Sequence, residues 1–227
     1  MNKFRILDDI LTESQTSCSG IVIRHSEEQF FQGDIGKQLE VPLSMKGLNK
    51  AKKLGAMISY KQPIVIITSP FPRCIQTADY LMKGLKKNVK LCESTMLGKH
   101  GPYVINPKRT AELMTDHGHN FITLWFKGKF TPNIMLSPKE GTNKFIIWLL
   151  EDIIKKYNHH FCIIISHGLI VTTIISSVFK KYIPADNYIG FLDGFYFSYE
   201  KGHLTFTYCG ETKEITLNST KIKTKIH

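Results

Sequence analysis

The stretch Ile64-Val65-Ile66-Ile67-Thr68-Ser69-Pro70-Phe71-Pro72-Arg73 changes character halfway along. Residues 64–67 form a continuous apolar run of strand length, the pattern of a strand buried on both faces. The run stops at Thr68-Ser69-Pro70, and residues 72–85 then read as a helix leading to a further strand at 89–92. Two other runs repeat this arrangement. Ile21-Val22-Ile23 ends in Arg24-His25, and residues 161–165 end in Ser166-His167-Gly168, with an apolar helix following to about residue 179. A helix is predicted from about Ser44, which is placed to cap it, with Leu48, Ala51, Leu54, Gly55 and Ile58 on one face. Another runs from Thr142 to about Tyr157, and residues 194–199 and 204–208 read as antiparallel strands joined at Lys201-Gly202. Short apolar strands alternating with helices predict an α/β fold: a three-layer α/β/α sandwich, its sheet mostly parallel and covered by helices on both faces.

No repeat, low-complexity segment or Pro/Gly/Ser linker divides the chain, so residues 1–227 are expected to form one domain. Residues 1–19 read as a polar lead-in with a short helix. Residues 94–140 carry Gly98, Gly101, Pro102, Pro107, Gly118, Gly128, Pro132 and Pro138. Such breakers predict short helices only, in an excursion expected to cover an active site.

Composition narrows the class. With 42% hydrophobic and 22% charged residues the chain reads as an ordinary globular protein. No stretch approaches the roughly 18 apolar residues of a spanning helix, and no secretory apolar core opens the chain, so a cytoplasmic protein is expected. The five cysteines are scattered, with no C-x-x-C pair, which speaks for reduced thiols over a disulfide framework or structural zinc. The net charge of +11 is spread along helices and the tail at 221–227, so a solvated lysine-rich surface is preferred over nucleic-acid contact. Asp116-His117-Gly118-His119 lacks spaced partner ligands and reads as a polar turn. His159-His160 reads as an exposed loop, and Cys74 as a small packing residue.

The polar residues gather where the apolar runs stop. In open α/β sheets sites form in the crevice outside the carboxyl ends of the strands. There the sequence places Arg24 and His25, then Ser69 to Arg73, then Ser166, His167 and Gly168. Two arginines and two histidines without a carboxylate suit an anion better than a metal, and guanidinium forks match a phosphoryl group. Helices opening after Pro72 and His167 would aim their N-terminal amides at it. Positive neighbours keep His25 neutral, and a neutral imidazole attacks phosphorus, splitting one displacement into two. Such chemistry needs neither metal nor organic cofactor.

The chain resembles the histidine phosphatase superfamily, the phosphoglycerate-mutase-like fold. Arg24-His25-Ser26 is similar to the family's Arg-His-Gly signature, and residues 40–51 (Glu-Val-Pro-Leu-Ser-Met-Lys-Gly-Leu-Asn-Lys-Ala) to its Asp-x-Pro-Leu-Thr-x-x-Gly-x-x-Gln-Ala stretch. Ser69 to Ala78 reproduces its Ser-Pro-x-x-Arg-x-x-Gln-Thr-Ala block, and Ser166-His167-Gly168 its late Ser-His-Gly. The resemblance covers about residues 20–210. It implies His25 as nucleophile, with Arg24, Arg73, His167 and Gly168 binding the phosphoryl group. Phe30-Phe31 stands where the mutases carry an asparagine, which favours a phosphatase over a mutase. Lys99, in Leu97-Gly98-Lys99, stands where members commonly carry a proton-donating glutamate. Glu93 is the nearest substitute, with Glu112, Asp116 and Glu140 as others. The function expected is metal-independent hydrolysis of phosphomonoesters, small-molecule or phosphoprotein, through phospho-His25. The alternative is a pseudophosphatase that binds phosphorylated partners without turnover, motivated by Ser26 and the missing acid.

Overall fold

The computed structural model describes residues 4–11, 18–31, 40–98, 101–181 and 189–216. Its centre is the set of apolar runs read from the sequence: β1 (Cys18–Arg24), β2 (Ile64–Thr68), β3 (Lys90–Glu93) and β4 (Phe161–Ser166). Three further strands follow, β5 (Gly194–Glu200), β6 (His203–Tyr208) and β7 (Glu211–Glu214). The order across the sheet is β3-β2-β4-β1-β5-β6-β7. The pairings β3-β2, β2-β4 and β4-β1 are parallel. From β1 outward through β5, β6 and β7 they are antiparallel. The sheet is therefore mixed, with the parallel part carrying the expected site. β7 has no counterpart in the sequence reading, because Glu211-Thr212-Lys213-Glu214 offers no apolar run.

Alternation along the strands splits the core in two. Ile21, Ile23, Ile64, Ile66, Ile163 and Ile165 face one layer, with helices α1 (Ile6–Leu11), α2 (Met45–Met57) and α3 (Pro72–Leu85). Val22, Val65, Ile67, Cys162 and Ile164 face the other, with α6 (Pro138–Trp148) and α7 (Gly168–Phe179). The expected three layers are present. Ser44 caps α2, accepting from Gly47 N–H at 3.0 Å. Pro72 opens α3 at a position where a missing N–H costs no bond. The helix expected over 142–157 starts four residues earlier, where Ser137 and Glu140 form a reciprocal capping box, and it continues as a π-helical segment over Leu149–Ile154.

The N-terminal residues contribute more than a lead-in. Ile6 is fully buried in α1, and Asp9 accepts the backbone N–H groups of Cys209 and Gly210. Arg5 donates to Asp193 at 2.8 and 3.0 Å, to Asp9 at 2.6 Å and to the carbonyl of Gly194. This clasp fixes the turn before β5.

The excursion holds α4 (Pro107–His117) and α5 (Phe121–Phe126), with a bridge pairing Val104 and Met135. Trp125 is its buried centre: Nε1 donates to the Leu136 carbonyl at 2.8 Å, and Tyr103 packs edge-on at 5.0 Å. Tyr103 reaches α6, with its hydroxyl 3.1 Å from Thr142 Oγ1. Among the described residues no helix is long and apolar enough to cross a membrane. The tail at 221–227 lies outside the described residues.

Candidate active site

The three strand ends do converge. β1 lies beside β4 and β4 beside β2, so Arg24, Ser166 and Thr68 end neighbouring strands. Backbone bonds stitch the segments just past them: His25 N–H donates to the Ser166 carbonyl at 2.9 Å, and Ser69 N–H to the Ile165 carbonyl at 3.0 Å.

His25 is buried, and its ring is held at both nitrogens. Nδ1 lies 2.8 Å from the Ser26 carbonyl oxygen, which can only accept, so Nδ1 carries the proton. Nε2 accepts from Arg73 Nε at 3.0 Å. The lone pair of the neutral ring is thus on Nε2. His167 Nδ1 likewise accepts from the Arg73 guanidinium, at 3.0 Å, and its Nε2–H donates to Ser69 Oγ at 2.9 Å. The two imidazole rings sit edge to face, 5.4 Å between centroids. Burial is the largest cause that holds both rings neutral. For His25 the repulsion a second imidazolium at His167 would bring and the charges of Arg73 and Arg24 add to it and drive its pKa well below 6.5. His167 is pushed down to about 3 by burial, Arg73 and Arg24.

Arg73 is buried between the two histidines. Arg24 is half-buried: its Nη1 donates to the Ile189 carbonyl at 2.9 Å, and its guanidinium lies 4.0 Å over the Phe191 ring. α3 and α7 begin at this corner, on Phe71 and His167, and neither has a side-chain cap. Their first-turn amides, that of Gly168 among them, face the same anion-favouring corner. Cys74 lies beneath, 3.6 Å from His167 Nε2. Burial pushes its thiol up to about 12, so it packs as a neutral group.

Two residues of the Ser69–Ala78 block that the sequence reading left without a role act as ties. Thr77 Oγ1 accepts from Ser26 N–H at 3.0 Å and donates to the Arg73 carbonyl at 2.7 Å, joining the loop after His25 to the helix that carries Arg73. Gln76 Oε1 accepts from Leu43 N–H at 2.7 Å. Ser26, which replaces the expected glycine, is accommodated: its hydroxyl donates to the Gly47 carbonyl at 2.7 Å and its carbonyl still holds His25. Gly47 is required there, since a Cβ would come within 2.0 Å of the Glu27 carbonyl.

The sequence-selected acids do not join the cluster. Glu93 ends edge strand β3 with its side chain exposed, and no hydrogen bond or ion pair among the described residues links it to the histidines. Glu112 pairs with Arg109, Glu140 caps α6 and Asp116 is exposed. Lys99 lies outside the described residues. The expectation of a site without a carboxylate is corrected by Glu28, whose Oε2 is 3.3 Å from Arg73 Nε and 3.8 Å from His25 Nε2. Its sequence signal was the Glu27-Glu28 pair directly after Arg24-His25-Ser26. Among the described residues no group of three or more His, Cys, Asp or Glu side chains is placed to hold a metal ion.

Bacillus stearothermophilus YhfR superimposes with a TM-score of 0.59 at 14% identity, over 86% of this chain and 97% of that one. A putative alpha-ribazole-5'-P phosphatase from Escherichia coli gives 0.51 at 15% identity, over 92% and 100%. A mutant phosphoserine phosphatase from Entamoeba histolytica, in complex with phosphoserine, gives 0.50 at 17% identity, over 84% and 95%. At these identities the likeness is one of fold. A comparison with curated proteins finds no match. The profile of the Histidine phosphatase superfamily (branch 1) matches residues 21–189, which is more than half of the chain and spans every strand end that builds the cluster. The chain belongs to the histidine phosphatase superfamily, branch 1.

Proposed function

We propose that this protein is a metal-independent phosphomonoesterase working through a phosphohistidine on His25. The observation that carries the reading is the orientation of one ring: Nδ1–H fixed on the Ser26 carbonyl, Nε2 left to act as nucleophile beside Arg73. An entering phosphoryl group would take over the Arg73 donors that the two histidines now share. Arg24 and the amides at the start of α7 would hold further oxygens, stabilising charge on the equatorial positions. Burial, Arg73 and Arg24 hold His167 neutral, and a dianion beside it favours the imidazolium, so it would become a donor when substrate binds. Nε2 attacks phosphorus, the ester oxygen leaves, and water then releases phosphate from the nitrogen. The entry of the excursion, at Leu97 and Gly98, borders Ser166, Ser69 and Phe71, which supports a role for that segment in substrate choice.

Hydrolysis of p-nitrophenyl phosphate in EDTA tests the reading. The wild type is expected to turn over and His25→Ala to fall to background. A wild type that binds vanadate yet releases no product at pH 5 to 8 would replace hydrolysis by phospho-ligand binding without turnover.

A further inference from the structure

Glu28 occupies a position that the charge of the pocket makes consequential. Its carboxylate lies 3.3 Å from Arg73 Nε, the group that also touches His25 Nε2, so it stands beside the path of the incoming phosphoryl group. The backbone that presents it is fixed. Glu28 bridges Leu43, while Gln29 N–H donates to Pro42 and Ser44 N–H to Glu27 on either side. Leu43 is held in turn by Gln76 of α3. The neighbouring Glu27 points elsewhere, onto Lys46 and Lys50 at 3.1 and 2.7 Å. Among the described carboxylates Glu28 is the one that meets both the nucleophile and the phosphate-facing arginine.

A carboxylic acid at that place is what the departing oxygen of an alkyl ester needs. We infer that Glu28 is the proton donor of this site, a role the sequence pattern assigns to other positions; the inference rests on the phosphatase reading above. In the first step the Nε2 lone pair forms the bond to phosphorus. The P–O ester bond breaks, and its electron pair takes the Glu28 proton to leave as alcohol. In the second step the carboxylate takes a proton from water as the water oxygen bonds to phosphorus and the P–N pair returns to Nε2. Each proton lent is recovered.

The test compares two esters by kcat/KM, which reports the step in which the leaving group departs. Glycerol 2-phosphate has a poor leaving group that needs the proton, whereas p-nitrophenolate leaves without one. Glu28→Gln is expected to lower kcat/KM for glycerol 2-phosphate by roughly 10²-fold or more and for p-nitrophenyl phosphate by under about tenfold. Equal losses on both esters, with an unchanged melting temperature, would reduce Glu28 to a positioning residue and overturn the assignment. Equal or faster turnover of both would make it a mere counter-ion of Arg73 and also overturn it. A wild type inactive on both esters is a separate outcome: it removes the phosphatase reading itself, and the donor with it.

Discussion

The corner of the sheet where β1, β2 and β4 end and the excursion at 94–140 are built on different principles. At the corner, side chains are fixed by directed polar bonds: His25 to Ser26 and Arg73, His167 to Arg73 and Ser69, Thr77 to Ser26 and Arg73. The excursion is fixed chiefly by apolar volume, with Trp125, Tyr103, Phe121 and Met135 all nearly fully buried and the Trp125–Leu136 and Tyr103–Thr142 hydrogen bonds adding to it. A directed bond sets an atom's position and its protonation state, whereas packed volume sets only that a segment stays in place. The first suits a reacting centre; the second suits a wall whose residues can change while the chemistry does not.

Three experiments test this contrast. The largest effect is expected from Trp125→Ala, which empties the excursion's centre and should cost about 3–5 kcal/mol of stability in chemical denaturation. Vanadate affinity of the folded variant should stay within about twofold of wild type, because none of the corner's bonds passes through Trp125. A parallel loss of affinity would show that the two regions are one unit.

The second effect is confined to the corner. His25 and His167 are held neutral in the fold, with folded pKa values depressed below 6.5. Below about pH 6.5 the unfolded chain binds protons that the folded sites refuse, so stability is lost as pH falls. Each histidine should contribute roughly 1.4 kcal/mol per pH unit in that range. Urea midpoints between pH 7 and 5 should therefore fall more steeply for wild type than for a His25→Gln, His167→Gln double variant. Equal slopes would mean that the neutral state is not enforced. The smallest effect is expected from Thr77→Val, which keeps the shape but leaves the buried Ser26 N–H without its acceptor. It should cost about 1–2 kcal/mol. Yet it should weaken vanadate binding more than Trp125→Ala does, and the reverse ranking would erase the distinction between regions.

Much of this was legible in the residues. Three apolar runs ending in Arg24-His25, Ser69 to Arg73 and Ser166-His167 located the convergence, because burial on both faces and the site-at-strand-ends rule leave few arrangements. The antiparallel half beyond β1 was only partly visible, and β7 not at all, since its hydrogen bonds to β6 need no apolar side chains. Glu28 escaped for a different reason. Its nearness to Arg73 depends on the chain folding back through the Leu43 bridge and the Gln76 tie, contacts that no local pattern encodes. The acid sought from sequence spacing, Glu93, sits on edge strand β3, one strand removed from the pair that carries His25 and His167.

β1 is the fourth of seven strands, the seam where the parallel half meets the antiparallel one. The amides at its end are tied on both sides, Arg24 to the Asp193 carbonyl and His25 to that of Ser166. Neither flank can fray without separating the sheet, so solvent deuterons should reach the residue 25 amide only through global opening, among the slowest in the molecule. Under the proposed function, whatever breathing admits and releases a substrate would then occur around His25 and not beneath it.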